Sequence, residues 1–562
     1  MDPEKMAVPP TEVVNKSESD CEASSATSGE TQTSSVVQAK AKHPRTNTWC
    51  LYFTSVWVVA DSVKQDENVV APAVPSITDS LGDSEDEGWY GTAYFLALSC
   101  CQMAWSQVYK VFPAKPVFFG AFLVFELGAL VGALAPNSAG VIVGRAISGA
   151  GISGTFVGAL IIVSYIVPLS FRPLMGAFFS VLIGSTQNGG SVLGGVLTSM
   201  LSWRWCFWIN LPLGGLSVFL GLVGSSITSP ESRRGGKTVK ELVRGFDALG
   251  LCIWSLAVIC LTLILQFGGG RFSWTSGTLV ALYVVTAVLF AAFGLVEKRG
   301  GERSLVPGRI IKQRSLACSA LYILLMQAAK SQLTYYLPIY FQAVLDDSAM
   351  QSSVHTLPNF VANTLFQILS GMGISWVGYY TPFMLVGSSI GLAGSALLST
   401  LSVTSTTPQW ASYQVLAAVG IAIGYNGPQM AAQTVFQDPR DTPTALTIIT
   451  TCQDLGGSLG TSIGNAILVD MVQQQLQQLL PDLSTAQISN GGLTGLKNLV
   501  APEQAYLVVE AYAYAIRVVF YGTTALIATT LFLACFVEWK SVKEKAKNTL
   551  SDDQETAEQY KS

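Results

Sequence analysis

The chain has 562 residues, of which 50% are hydrophobic and 12% charged, with a formal net charge of -4. A soluble domain carries roughly 25% charged residues, so a water-soluble globular fold is excluded. Nucleic acid is excluded as a partner as well, because it demands a concentrated basic surface. The 10 cysteines are scattered, mostly inside apolar runs, without metal-ligand or redox spacing. They read as small hydrophobes. With His43 and His355 as the two histidines, a histidine-rich metal centre cannot be built, and neither a metal nor a cofactor is expected.

Residues 1–47 are rich in Ser, Thr, Glu and Lys, which cannot bury enough apolar surface to offset ordering entropy, so a disordered tail is expected. Beyond it, apolar runs long enough to cross a bilayer fall near 49–75, 90–110, 116–135, 139–167, 173–199, 205–225, 247–267, 276–296, 316–345, 352–377, 380–401, 410–436, 444–471 and 512–537. Basic residues crowd before the first run, after the last and in the even-numbered loops, including Lys110, Lys115, Arg172, Arg233, Arg234, Lys298, Arg309 and Lys312. The opposite loops hold acids such as Asp83, Glu85, Asp86, Asp346 and Asp347. By the positive-inside rule both termini are cytosolic, which agrees with an even number of spans.

Two polar basic stretches set an isolated pair of runs apart. The expected organisation is therefore a cytosolic tail (1–47), a six-helix bundle (48–225), a linker (226–246), an inserted helix pair (247–296), a second linker (297–314), a second six-helix bundle (315–537) and a cytosolic tail (538–562). This predicts an all-α polytopic membrane protein with fourteen transmembrane helices by count of the apolar runs. Two bundles of equal helix number fit a transporter made of structural repeats.

The stretch VIVGRAISGAGISG at 141–154 puts a permanently charged side chain, Arg145, inside the fourth run. A guanidinium there costs about 2.5 kcal/mol or more on insertion scales and should face protein or water. Gly140, Gly144, Gly151, Gly154 and Gly158 recur on one helical stripe that lets a neighbour approach, and Gly149 joins them as a packing or gating position. A structural arginine bonded to carbonyls of a tight helix pair is the alternative. In the fifth run Gly184, Asn188, Ser191 and Gly195 share a small polar face, flanked by Gln187, Gly190 and Gly194. In the thirteenth, Gly456, Gly460 and Gly464 form a ridge while Gln453 and Asp454 add polar groups at membrane depth. Plain helix packing explains either glycine set equally well.

The first run carries Lys64, Asp66 and Glu67 within about one turn. A short span ending near Ala60, a broken helix lining a water-filled path and an inaccurate splice boundary each account for that cluster. Glu126 and Lys330 are further charges inside apolar runs, either cavity residues or paired structural charges. Tyr335, Tyr336, Tyr340, Phe341 and Tyr425, with Gln342 beside them, suit stacking on a planar ligand or routine membrane packing.

The segments IVGRAISGAGISG, SWRWCFWINLPLGG at 202–215 and YYLPIYFQ at 335–342, in that order and spacing, resemble the fourteen-span drug:proton antiporter branch of the major facilitator superfamily. The likeness to fungal toxin and multidrug efflux pumps covers roughly 48–545. It maps the family's helix-1 pattern of Asp, apolar run and Pro onto Asp66 and Pro75. It maps the antiporter motif onto 184–195, where Ser191 replaces the usual Pro, and Ser106 replaces a usual Gly in the loop after helix 2.

The resemblance implies export of a lipophilic toxin, metabolite or drug by proton antiport with alternating access. Arg145 then acts as a fixed charge holding a carboxylate, Asp66 above all, with Glu126 and Asp454 as further proton-coupling candidates. Asn188, Gln187, Tyr336, Tyr340, Gln342, Tyr425 and Gln453 become candidates for the substrate cavity. A facilitator or uptake carrier for a metabolite or metal chelate is the alternative, and a transporter-like sensor or membrane enzyme a third, although no catalytic constellation is apparent. The expected partners are the bilayer, a small lipophilic substrate and protons. A monomer in the plasma membrane is expected, with the vacuolar or vesicular membrane as the alternative.

Overall fold

The computed structural model describes residues 66, 69–70, 73–81, 87–166, 190, 193–198, 200–223, 246–268, 272–301, 304–347, 349–436, 441–479 and 504–543. These residues form helices and short connections. The first part comprises α1 (Val74–Leu81), α2 (Glu87–Val111), α3 (Ala114–Leu134), α4 (Ser138–Ile166), α5 (Trp205–Trp208) and α6 (Asn210–Val223). A hairpin of α7 (Ala248–Phe267) and α8 (Gly277–Gly300) follows, then the one-turn α9 (Gly308–Ile311). The last part comprises α10 (Arg314–Val344), α11 (Ala349–Val377), α12 (Thr381–Leu398), α13 (Thr407–Tyr425), α14 (Gly427–Thr434), α15 (Thr442–Leu479) and α16 (Ala505–Ala534).

Eight of these helices are long and apolar enough to span a bilayer. On α3, Leu123, Leu127 and Leu134 are more than half exposed while Phe118, Ala121, Phe122 and Phe125 are completely buried. Large apolar side chains left outside at helical spacing are what hydrocarbon requires. Side chains cap the starts of the hairpin helices: Asp247 accepts from Gly250 at the start of α7, and Ser276 from Leu279 at the start of α8. Thr406 and Gln409 form a reciprocal capping box on α13.

Two apolar runs that read as single spans are broken. The run at 410–436 divides at Asn426 into α13 and α14, because Pro428 in the first turn of α14 has no N–H to continue the ladder. The run at 205–225 divides at Ile209, and Pro212 withholds the N–H that the carbonyl of Trp208 would accept. The first run also ends differently: Val74 and Pro75 begin α1, which carries on to Leu81. Asp66 is helical and fully buried; the neighbouring Lys64 and Glu67 lie outside the described residues.

Close helix approach repeats in the two parts. On α3 and α4, a Cβ added to Gly128, Gly144 or Gly151 would strike the backbone of Ser148, Gly132 or Phe125. On α12 and α13, Gly387, Gly394 and Gly420 stand in the same relation to Gly424, Ala417 and Gly391. Both pairs therefore pack backbone to backbone, as small residues allow in a bilayer. The sequences of the pairs have little in common, yet the device is the same.

The hairpin packs against α2 of the first part and α15 of the second. Trp254 donates to the Ser99 carbonyl at 3.4 Å, Phe267 meets Trp89 edge-on at 6.1 Å, and Gln107 donates to the Ser304 carbonyl at 3.4 Å. Toward the second part, Trp274 lies close to Asp470 of α15, and Leu455 of α15 packs on the cluster around Trp254. The hairpin thus touches both parts along one seam.

Candidate functional site

Arg145 is the eighth residue of α4 and is 1% exposed. Its Nη1 donates to Asp66 Oδ2 at 2.6 Å, its Nε donates to the Tyr90 carbonyl at 3.0 Å, and its guanidinium carbon sits 4.2 Å from the centre of the Tyr94 ring. The other carboxylate oxygen of Asp66 accepts from Asn210 Nδ2 at 2.7 Å. One charge pair therefore ties together the end of the first apolar run, α2, α4 and α6. Both members are cut off from solvent, where removing either one leaves a buried charge uncompensated.

Glu126 of α3 borders this cluster. Its carboxylate packs on Gly214, one turn after Asn210 on α6, where a Cβ would collide with it, and the Asp66 carboxylate is near enough to repel it. Both Glu126 oxygens and Asn210 Oδ1 are buried without a hydrogen bond among the described residues. Among the described residues the site thus holds two acids of opposite character beside the Arg145 guanidinium, Asp66 hydrogen-bonded and Glu126 without a hydrogen bond.

The glycines of α4 serve this arrangement. Gly144 and Gly151 bring α3 to backbone contact, Gly149 abuts the Tyr94 carbonyl of α2, and Gly154 receives the Trp105 ring. Trp105 and Tyr109 of α2 donate back to the carbonyls of Ala150 and Gly154 at 2.7 and 2.9 Å. With α2 and α3 this close, Arg145 is enclosed by protein. Gly190 is helical and buried, Gly194 lies against the Val69 backbone, and Gly195 faces open space. Gly184, Gln187 and Asn188 lie outside the described residues.

A second polar group lies where the two parts meet. Gln102 of α2 donates to Asp454 Oδ2 of α15 at 3.0 Å. Both line a void with Leu98, Ile152, Ser153 and Phe156, roomy enough for about one water molecule. Gly456 and Gly460 bring α15 onto the backbone of Leu324 and Ala328 of α10. Gln453 is buried nearby, its Oε1 unbonded. Tyr425, at the break between α13 and α14, donates to Gln327 Oε1 at 3.0 Å and receives the Lys330 ammonium 4.6 Å from its ring centre. Leu160 of α4 packs on the apolar cluster that includes Tyr425.

The remaining aromatic candidates lie elsewhere. Tyr336 and Tyr340 are buried in the core of the second part and donate to the carbonyls of Thr461 and Ser402, each at 2.8 Å. Tyr335 is 55% exposed. Gln342 donates to Ser352 at 3.4 Å, bracing α10 against α11. Tyr90, Asn210, Gln102 and Gln327 were not among the residues the sequence singled out. An Asn or Gln isolated in an apolar run was the signal, and for Asn210 it sat within SWRWCFWINLPLGG.

A family model described as Major Facilitator Superfamily matches residues 64–461. The efflux pump roqT of Penicillium rubens is 35% identical over 512 residues, covering 91% of this chain and 94% of that one. The aspyridones efflux protein of Neocamarosporium betae is 39% identical over 496 residues, covering 88% and 87% respectively. Among solved structures, the proton:xylose symporter XylE superimposes with a TM-score of 0.55 at 14% identity, covering 88% of this chain and 98% of that one. That last likeness concerns the fold alone.

Proposed function

The chain belongs to the major facilitator superfamily, and from that premise we propose that it exports a lipophilic small molecule, a toxin, secondary metabolite or drug, in exchange for protons. It is a multi-pass membrane protein and an efflux transporter, as its relatives are named. The name of one relative, the aspyridones efflux protein, supports a small organic compound as the substrate. The coupling half of the proposal rests on one observation, the buried pair of Asp66 and Arg145 at 2.6 Å.

A guanidinium does not release its proton at ordinary pH, so Asp66 is the member that titrates. Protonating Asp66 cancels the attraction to Arg145 and withdraws an acceptor from it, which alters the join between the first run, α2, α4 and α6. A proton gradient drives export only if proton and substrate favour different conformations. Glu126, unbonded beside the pair, is the second acid of the path. The bond from Gln102 to Asp454 belongs to the state in which α2 and α15 are together.

The basic even-numbered loops support cytosolic termini, and a plasma-membrane monomer is the simplest arrangement for export from the cell. Two six-helix bundles joined through the inserted hairpin remain the proposed organisation, and transport without covalent chemistry the proposed activity. The test is dye or drug exchange by purified protein in lipid vesicles under an imposed pH gradient. Wild type accumulates the compound against its gradient, whereas Asp66→Asn and Arg145→Ala do not. Wild-type accumulation by either variant defeats the coupling role, and a wild type indifferent to the gradient defeats antiport.

A further inference from the structure

We infer that residues 304–311, which lead from the inserted hairpin into α10, form a strap that fastens the two parts together at their cytosolic ends and lets go of α2 once in each transport cycle. The inference rests on the export reading above, with the basic even-numbered loops in the cytosol. Ser304, Leu305 and Ile310 are at most 2% exposed, although a connection between helices ordinarily runs over the surface. Leu305 is buried among Cys100 and Met103 of α2 and Trp254 and Val258 of α7. Ile310 is buried in a different cluster, with Leu316 of α10 and Ala445 and Leu446 of α15, on which Leu160 of α4 packs. Val306 packs on both clusters. A few successive residues therefore join the first part and the hairpin to the second part.

Polar groups pin the strap at each end. Gln107 Nε2 of α2 donates to the Ser304 carbonyl at 3.4 Å. Glu297, near the end of α8 and 8% exposed, accepts from the backbone N–H groups of Leu305 at 3.3 Å and Val306 at 2.7 Å, which pairs two donors that burial takes away from water. At the other end Arg309 donates through both Nη atoms to the two carboxylate oxygens of Asp441, which is 5% exposed just before α15. From Val306 to Arg309 the chain can reach at most about 11 Å when extended. The two parts cannot separate much further than that at this level while both ends hold. The ends are unequal: a bidentate pair of opposite charges ties the strap to α15, within the part to which α10 already joins it, whereas one long bond between neutral groups and the seat of Leu305 tie it to α2. The attachment to α2 is therefore the one that gives way.

The experiment uses the dye or drug exchange in lipid vesicles described above. Gln107→Cys with Ser304→Cys ties the strap to α2, and Arg309→Cys with Asp441→Cys ties it to α15. Each double variant is treated with a short, reducible bifunctional methanethiosulfonate and the link is verified by peptide mass, with wild type treated alike as the reference for the native cysteines. The first link should lower accumulation by about tenfold or more, and reduction should restore it, whereas the second link should leave accumulation at the wild-type level. Undiminished accumulation with the first link in place overturns the inference, and so does an equal loss from both links. A second measurement needs only Ser304→Cys: the buried thiol should react with a maleimide about tenfold faster during turnover under the pH gradient than at rest. Equal rates overturn the release of the strap, whatever the double variants do. A wild type that accumulates nothing under the gradient defeats the export reading itself.

Discussion

Asp66 and Arg145, 79 positions apart in the chain, meet at 2.6 Å with neither side chain more than 2% exposed. Removing one partner of such a pair costs about 3–5 kcal/mol, because the other is left charged and dry. Asp66→Asn and Arg145→Gln should therefore each lower the thermal unfolding temperature of the purified protein in detergent. The double variant should recover much of that loss, since no uncompensated charge remains. Proton-driven transport should stay absent in all three. Unfolding temperatures that fall additively in the double variant would refute the pairing.

The glycine contacts predict opposite outcomes at two kinds of position. Gly151→Ala and Gly420→Ala place a Cβ against the backbone of Phe125 and Gly391, which neither helix can relieve without separating. Overpacking of this kind costs about 1–3 kcal/mol. At Gly195 and Gly215 the added Cβ meets open space, and Ala there should be neutral or stabilising by up to about 1 kcal/mol. Differential scanning fluorimetry of the four variants checks the contrast.

Gln102→Leu removes the donor that joins α2 to α15 at 3.0 Å. A bond to a charged acceptor contributes about 1.5–3 kcal/mol, so the population with these helices together should fall by about tenfold or more. Distances between spin labels on the ends of α2 and α15 should broaden toward longer values while the folded amount is unchanged. An unaltered distance distribution would remove this bond from the list of contacts that hold the two parts together.

Trp254 anchors the hairpin through its bond to Ser99 and its packing with Phe290 and Phe293 at 6.2 and 5.3 Å. Trp254→Ala should destabilise the protein by about 3 kcal/mol or more, whereas Trp254→Phe, which keeps the ring packing, should lose much less. Limited proteolysis of the hairpin helices α7 and α8 should quicken in the alanine variant. Equal resistance in both would mean that the hairpin is held from elsewhere.

Helix breaks were legible in part. Pro212 and Pro428 stand in the sequence, yet hydropathy averaged over about 20 residues hides a break that one missing N–H produces. Asn210 and Gln102 were harder to notice, because an isolated amide in an apolar run gives no indication of the carboxylate it will face. The matched close approach of α3 with α4 and α12 with α13 was not legible as repeated sequence. Different small residues, Gly128 and Ser148 in one pair and Gly394 and Ala417 in the other, serve the same contact.

What the sequence by itself determined is the solvent and the problem. Half its residues are hydrophobic, which commits the chain to the bilayer, and a guanidinium within such a run must find an acid or water because hydrocarbon supplies neither. Tertiary structure alone decided which groups answer that demand. Asn210 and the Tyr90 carbonyl reach the pair from distant helices, and Gln102 reaches Asp454 because of how α2 and α15 meet. Those relations depend on helix packing angles and close contacts between remote segments, which periodicity along one segment does not encode.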